Sequence, residues 1–215
     1  MHFFFYMEAA MKKSILFLLI AGGLPLLAQS YEVGLFLGQQ QYPSPHADVM
    51  PGTTLQMEAA SKTVWGLRFG YAVTDMGPAL LQFTAGFQPE AKSDVKGSLG
   101  GSPAVVVGDF KQQHWSAGAM ATFKTVVAVG VGVEFRSEKL SGNLGGSSDS
   151  TTYNRAWVRA NAGYAVPSPV LKPFFGVEVA FPLATTSLSA DASNAETLKA
   201  LSAKSQFGIY AGLRF

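Results

Sequence analysis

From Val127 to Arg136 the chain reads Val-Ala-Val-Gly-Val-Gly-Val-Glu-Phe-Arg. Every second residue is large and apolar, and those between are small or charged. A repeat of two is the signature of an extended strand with two unlike faces. The same pattern recurs along the chain. Tyr31 to Gln40 places Val33, Leu35 and Leu37 against Glu32, Gly34 and Gly38, and Thr63 to Val73 places Trp65, Leu67, Phe69 and Tyr71 against Gly66, Arg68 and Gly70. Ala79–Gln88, Phe110–Phe123, Val126–Ser137, Pro173–Leu183 and the closing stretch Phe207–Phe215 alternate in the same way. Tyr153–Val166 alternates too, but Trp157 falls on its polar face, and a bulge there is one way to reassign it. Eight strands are predicted.

The connections alternate in length. After the first, third, fifth and seventh strands they are long, at 41–62, 89–109, 138–152 and 184–203. After the second, fourth and sixth they are short, at 74–78, the Lys124-Thr125 bend and 167–172. Up-and-down strands joined this way send every long loop to one end. Within the last, Ser193-Asn194-Ala195-Glu196 has the form of a capping box before 197–203, which suits either a short surface helix or a flexible polar loop.

Charged residues are 14% of the chain, against about 25% in soluble domains. A net charge of +2 without a dense basic run argues against nucleic acid, and the absence of cysteine removes disulfides and thiolate metal sites. Lys12 and Lys13 precede the apolar run Ile15 to Leu27 and the small-residue stretch Ala28-Gln29-Ser30. That is the layout of a secretory signal peptide, with Met11 as the natural start. The alternative, an uncleaved anchor, has a run too short to span as a helix. The expected division is therefore 1–30 as extension and leader, and 31–215 as one strand domain.

On these features (leader, eight amphipathic strands, loop asymmetry and terminal Phe215) the chain resembles the small outer-membrane β-barrel superfamily, of the kind formed by the OmpA transmembrane domain and OmpX. The resemblance covers 31–215. It implies an all-β, eight-stranded antiparallel up-and-down transmembrane barrel in the outer membrane of a Gram-negative bacterium, with periplasmic termini and extracellular long loops. Monomer state, contact with outer-membrane lipid and lipopolysaccharide, and delivery by the barrel-assembly machinery through the last strand follow as expectations. The assembly signal of that family commonly carries glycine where this chain has Tyr210.

The arginines decide which face looks inward. Arg68, Arg136, Arg155, Arg159 and Arg214 all lie on the small-residue face, together with Glu32, Glu134 and Glu178. Arg or Lys facing lipid at mid-bilayer costs roughly 2–4 kcal/mol, whereas Arg and Glu in a lumen can pair. These eight residues are expected to form an internal ion-pair network, its surplus positive charge near the lumen mouths, in water or holding an anion. Trp65, Tyr71, Trp115, Phe123, Tyr164 and Phe215 are expected in aromatic girdles. A soluble lipocalin-like barrel would invert both faces.

Catalytic signals are few. His114 and Ser116 share a face, and a bend at Lys124-Thr125 sets them opposite Arg136 and Glu134. With Glu134 they could form a hydrolase triad, but they read more simply as lumen side chains. No cofactor or metal site is indicated. Function is expected in envelope stabilisation or surface contact through the loops, to a ligand the sequence does not name. A narrow, anion-preferring channel and a lipid hydrolase are the alternatives.

Overall fold

The computed structural model describes residues 30–168 and 171–215; the reading of the first thirty residues as a leader lies outside the described residues, save Ser30. In chain order the elements are β1 (Tyr31–Gln41), β2 (His46–Met50), β3 (Thr53–Ala59), β4 (Lys62–Met76), β5 (Ala79–Leu99), β6 (Val105–Lys124), β7 (Ala128–Leu144), β8 (Ser147–Ala165), β9 (Lys172–Pro182), α1 (Asn194–Ala200) and β10 (Ser205–Arg214). Eight of the strands close a ring in the order β1-β4-β5-β6-β7-β8-β9-β10. The first and last strands seal it in unbroken antiparallel register from Glu32↔Arg214 to Gln41↔Ser205. Closure leaves neither of those strands with an unpaired edge, which is the condition for a sheet to sit in lipid.

The two faces are sorted as the arginines required. Val127, Val129, Val131, Val133 and Phe135 point outward and are 47–70% exposed, while Glu134 and Arg136 are buried inside. Leu35, Phe83, Val177 and Ile209 continue that apolar surface around the barrel. Val127 in the β6–β7 turn and the outward residues of β7 to Phe135 run about 26 Å along the chain at ~3.3 Å per residue, which a strand tilt of roughly 35–45° turns into an apolar band about 18–22 Å tall. The inverted, lipocalin-like arrangement is thereby overturned. Trp65 and Trp115 lie exposed at one border, where Phe87 packs on Trp115 with ring centroids 4.3 Å apart. Tyr31, Tyr71 and Phe215 cluster at the other, with centroid separations of 5.5 and 6.1 Å, and Tyr164 packs near Phe175 at 6.0 Å. Phe123 is also outward and exposed.

Beyond the Trp65–Trp115 border the structure departs from the loops expected there. The strands run on: Phe135 is followed outward by Ser137 and Lys139, and Trp115 is preceded by Gln113 and Lys111. The expected loop at 138–152 is instead the tip of the β7–β8 hairpin. It turns on Gly145 and Gly146, both at positive φ (59° and 85°), the conformation a two-residue hairpin turn demands. The expected loop at 89–109 is likewise largely strand. The one at 41–62 folds as the β2–β3 hairpin, whose β3 pairs with the outer part of β5 from Leu55↔Leu99 to Ala59↔Val95. The pleat persists because its inward residues, Val95, Phe110 and Leu140, still have a core to enter.

Trp157 needs no bulge. The β7–β8 register is continuous through Glu134↔Trp157, and the indole is fully buried in the lumen.

Candidate functional site

The lumen is layered. Its mouth at the end away from the termini is filled by α1 and the turn after it. Leu198, Leu201 and Ala203 are buried against Tyr42, Met57, Val95, Phe110 and Leu140. The capping box at Ser193 and Glu196 forms: the Ser193 N–H donates to the Glu196 carboxylate at 2.8 Å, and the Glu196 N–H donates to Ser193 Oγ at 3.3 Å. The Ser193 N–H, and after it the Ser193 hydroxyl, donate to the Glu196 carboxylate and hold it below the usual carboxylate range. The segment before the helix is tied to the wall where Thr186 Oγ1 donates to the Tyr153 hydroxyl at 3.0 Å.

Below this apolar stopper lies a relay of buried amides. Gln206 Nε2 donates to Gln88 Oε1 (2.6 Å), Gln88 Nε2 to Gln40 Oε1 (2.7 Å), Gln40 Nε2 to Gln112 Oε1 (2.9 Å), and Gln112 Nε2 to Glu138 Oε2 (2.8 Å). Each link uses the donor of one amide and the acceptor of the next, so the chain spans the lumen without water in the path. The Ala203 N–H donates to Gln112 Oε1 at 3.2 Å, which ties the stopper to the relay.

The charged layer follows. Arg155 pairs with Glu138 at 2.7 Å, and Trp157 Nε1 donates to the same carboxylate at 2.9 Å. Arg136 Nε donates to Glu134 at 2.6 Å, and its guanidinium lies 3.9 Å from the centroid of the Trp157 ring. Arg159 reaches both Glu134 (3.3 Å) and Glu178 (3.6 Å), and Arg68 Nη2 donates to Glu178 at 3.0 Å. Nearer the other end, Arg214 pairs with Glu32 at 2.6 Å. The sequence reading placed these side chains inside but missed Glu138, which it assigned to a loop. The surplus of positive charge is not at the mouths, as expected, but in mid-lumen. There Arg68, Arg136 and Arg159 share two carboxylates, Glu134 and Glu178, while the two outer pairs match one to one.

The expected register of His114 and Ser116 also changes. The β6–β7 turn takes three residues, 125–127, so Ser116 faces Arg136 but His114 faces Glu138. Glu134 lies opposite Gly118 and is held by two arginines. No hydrogen bond joins His114, Ser116 and Glu134 among the described residues; both imidazole nitrogens and the Ser116 hydroxyl are buried without a partner. The triad geometry is absent.

Toward the termini the lumen opens into a vestibule of about 360 Å³, lined by Glu32, Gln82, Lys124, Asn161, Tyr210 and Arg214 among others. Lys124 is paired with Asp75 at its rim. The described residues contain no cluster of metal-ligating side chains.

No family model and no curated protein matches this sequence. Solved structures do match. OprG from Pseudomonas aeruginosa aligns at 12% identity over 87% of this chain and 95% of its own, with a TM-score of 0.51. Neisserial surface protein A aligns at 16% identity over 87% and 98%, with a TM-score of 0.47, and Ail of Yersinia pestis at 14% over 88% and 100%, with a TM-score of 0.48. At these identities the likeness is one of fold. The closed ring, its lipid-facing belt and its charged lumen make this chain a small eight-stranded β-barrel of the outer-membrane type.

Proposed function

We propose that the protein is a monomeric, non-enzymatic barrel of a Gram-negative outer membrane that neither conducts freely nor acts on lipid, and whose work lies at its extracellular face. The observation that carries this reading is the sealed outer half of the lumen: an apolar stopper, an amide relay and paired charges in series. Outer-membrane lipid and lipopolysaccharide are the partners of the belt, and the barrel-assembly machinery of the last strand. Hydrolysis has little support, because His114 and Ser116 are buried away from lipid and Glu134 is committed to arginine.

Strands that run past the belt build a rigid extracellular platform rather than four mobile loops. It carries a cleft of about 380 Å³ lined by Pro43, His46, Thr185, Ser187, Lys199 and Lys204 among others, with no acidic side chain in its described lining. Cations and hydroxyls together suit a polyanionic surface ligand. The test is adhesion of cells displaying the protein to immobilised sulfated polysaccharide and to a neutral polysaccharide. Adhesion to the sulfated matrix should exceed that of barrel-free cells and fall to background in a Lys199→Glu/Lys204→Glu variant that still migrates as a folded barrel on unheated gels. Adhesion unaltered by the double substitution would move the contact elsewhere on the platform. Adhesion equal to the barrel-free control on both matrices would leave only the envelope-stabilising role.

A further inference from the structure

The outer wall over β6, β7 and β8 changes character row by row where it leaves the apolar belt. The register aligns Ala117↔Phe135↔Ala156, then Trp115↔Ser137↔Asn154, then Gln113↔Lys139↔Thr152, all on the outward face. Phe135 is 70% exposed and Trp115 62%, and each projects beside short side chains. Between them lies an open groove of about 410 Å³ on the outside of the barrel, lined by Trp115, Ala117, Phe135, Ser137, Asn154 and Ala156 among others. On the belt side its lining is apolar. Its far rim carries a hydroxyl and an amide, and one row beyond them stand Gln113, the Lys139 ammonium and Thr152.

That order of rows matches an amphiphile lying along the strands. Lys139 is four residues beyond Phe135, about 13 Å along the strand and roughly 10 Å along the membrane normal after tilt. The step carries the wall out of hydrocarbon and into the polar zone, whose border Trp115 marks. Lys139 is exposed and pairs with no carboxylate among the described residues. Its cross-strand neighbours Gln113 and Thr152 are neutral. The acidic side chains of this wall, Glu90, Asp94 and Asp109, lie toward β5, where Glu90 pairs with Lys111 at 3.2 Å and Asp109 lies 3.8 Å from Lys92. A soluble anion would leave the apolar slot empty. A simple phospholipid would fill the slot and reach Lys139, but its headgroup offers few partners for Ser137, Asn154, Thr152 and Gln113. A phosphorylated sugar bearing acyl chains answers all three rows.

We propose that the groove is a site for one phosphorylated glycolipid of the outer leaflet, of the lipid A class. An acyl chain lies between Trp115 and Phe135 over Ala117 and Ala156, sugar hydroxyls meet Ser137 and Asn154, and a phosphate meets Lys139. The site rests on the proposed orientation, with this end of the barrel outward, and gives the belt's contact with lipopolysaccharide a defined position.

The test titrates lipid A into the purified, folded full-length barrel in detergent and reads bound lipid by native mass spectrometry. Wild type should retain one diphosphoryl lipid A in preference to phosphatidylglycerol. Lys139→Met, which keeps the length of the side chain and removes its charge, should raise the half-saturating mole fraction of lipid A about tenfold, as loss of a hydrogen bond to a charged group does. Dephosphorylated lipid A should bind wild type comparably weakly. Ala117→Trp fills the slot from the lipid side without entering the lumen, and should weaken binding of both forms. Lipid A retained no better than phosphatidylglycerol, or retained equally by wild type and Lys139→Met, would overturn the site, as would binding unaltered in Ala117→Trp. Orientation is read separately, by reaction of a Ser147→Cys variant, altered at the β7–β8 tip, with an impermeant thiol reagent on intact cells. Labelling without selective lipid A binding would sink the site and leave the orientation standing. Absence of labelling in a folded barrel would take this end away from the outer leaflet, and the glycolipid with it.

Discussion

Glu134 accepts from Arg136 and Arg159 together while almost fully buried. Removing one partner of a buried pair leaves a charge without compensation, at a cost of roughly 3–5 kcal/mol. Glu134→Ala should therefore destabilise the barrel by about that amount in urea titrations. Glu32→Ala, whose ion pair with Arg214 is 17–18% exposed beside the vestibule, should cost clearly less. Equal losses at the two positions would mean that water reaches Glu134. Replacing His114 or Ser116 by Ala should leave lipid A acylation unchanged in cells expressing the protein, and a deacylated lipid species lost in both variants would restore the hydrolase. At this scale parity was legible in the sequence. Arg68, Arg136, Arg155, Arg159 and Arg214 could be placed inside because each shares its strand with outward aliphatic residues. Glu138 escaped because Ser137, Lys139 and Ser141 end the apolar alternation that marked the strand, although Glu134, Arg136, Glu138 and Leu140 keep one parity throughout.

The element whose sequence signal was most local is α1. Its capping box lies within four residues and needs no partner strand, so Ser193-Asn194-Ala195-Glu196 could be recognised without the fold. That the helix stops the barrel mouth could not, because Leu198 and Leu201 find their neighbours only after β5, β6 and β7 have closed around them. The β2–β3 hairpin was hidden for a similar reason: it is ordered by β5, far along the chain. The cap also gives α1 a pH dependence. The Glu196 carboxyl is held low in the folded state by Ser193. Its contribution is thus present above the ordinary carboxylate range and is lost as pH falls through the lowered folded value. Amide protection in 197–203, corrected for intrinsic exchange, should fall on acidification in that window, and Glu196→Gln should remove the dependence. Protection that stays flat in wild type would show that packing of Leu198 and Leu201 alone holds the stopper.

For the whole molecule the decisive property is that two unlike seals lie in series. An apolar plug excludes ions because they cannot shed water into it, and the layer beneath excludes them because amides and ion pairs already fill the space of an eight-stranded lumen. Either seal alone should suffice. Wild-type protein in a planar bilayer should show only rare, small conductance steps. A variant lacking 187–200 opens the stopper but keeps the Gln206–Gln88–Gln40–Gln112 relay and its anchor on Glu138, so it should remain nearly silent. Glu134→Ala disturbs the charged layer but keeps the stopper, and should raise the frequency of brief steps without a lasting current. Only the deletion combined with Glu134→Ala and a relay substitution such as Gln40→Ala removes both barriers, and its open state should favour anions, since deleting one carboxylate increases an existing arginine excess. The effects should therefore be strongly non-additive, as expected for elements that block one path in sequence. A steady, anion-selective current from wild type would make the protein a channel. A steady current from the stopper deletion alone would show that the amide relay yields to ions once water can reach it.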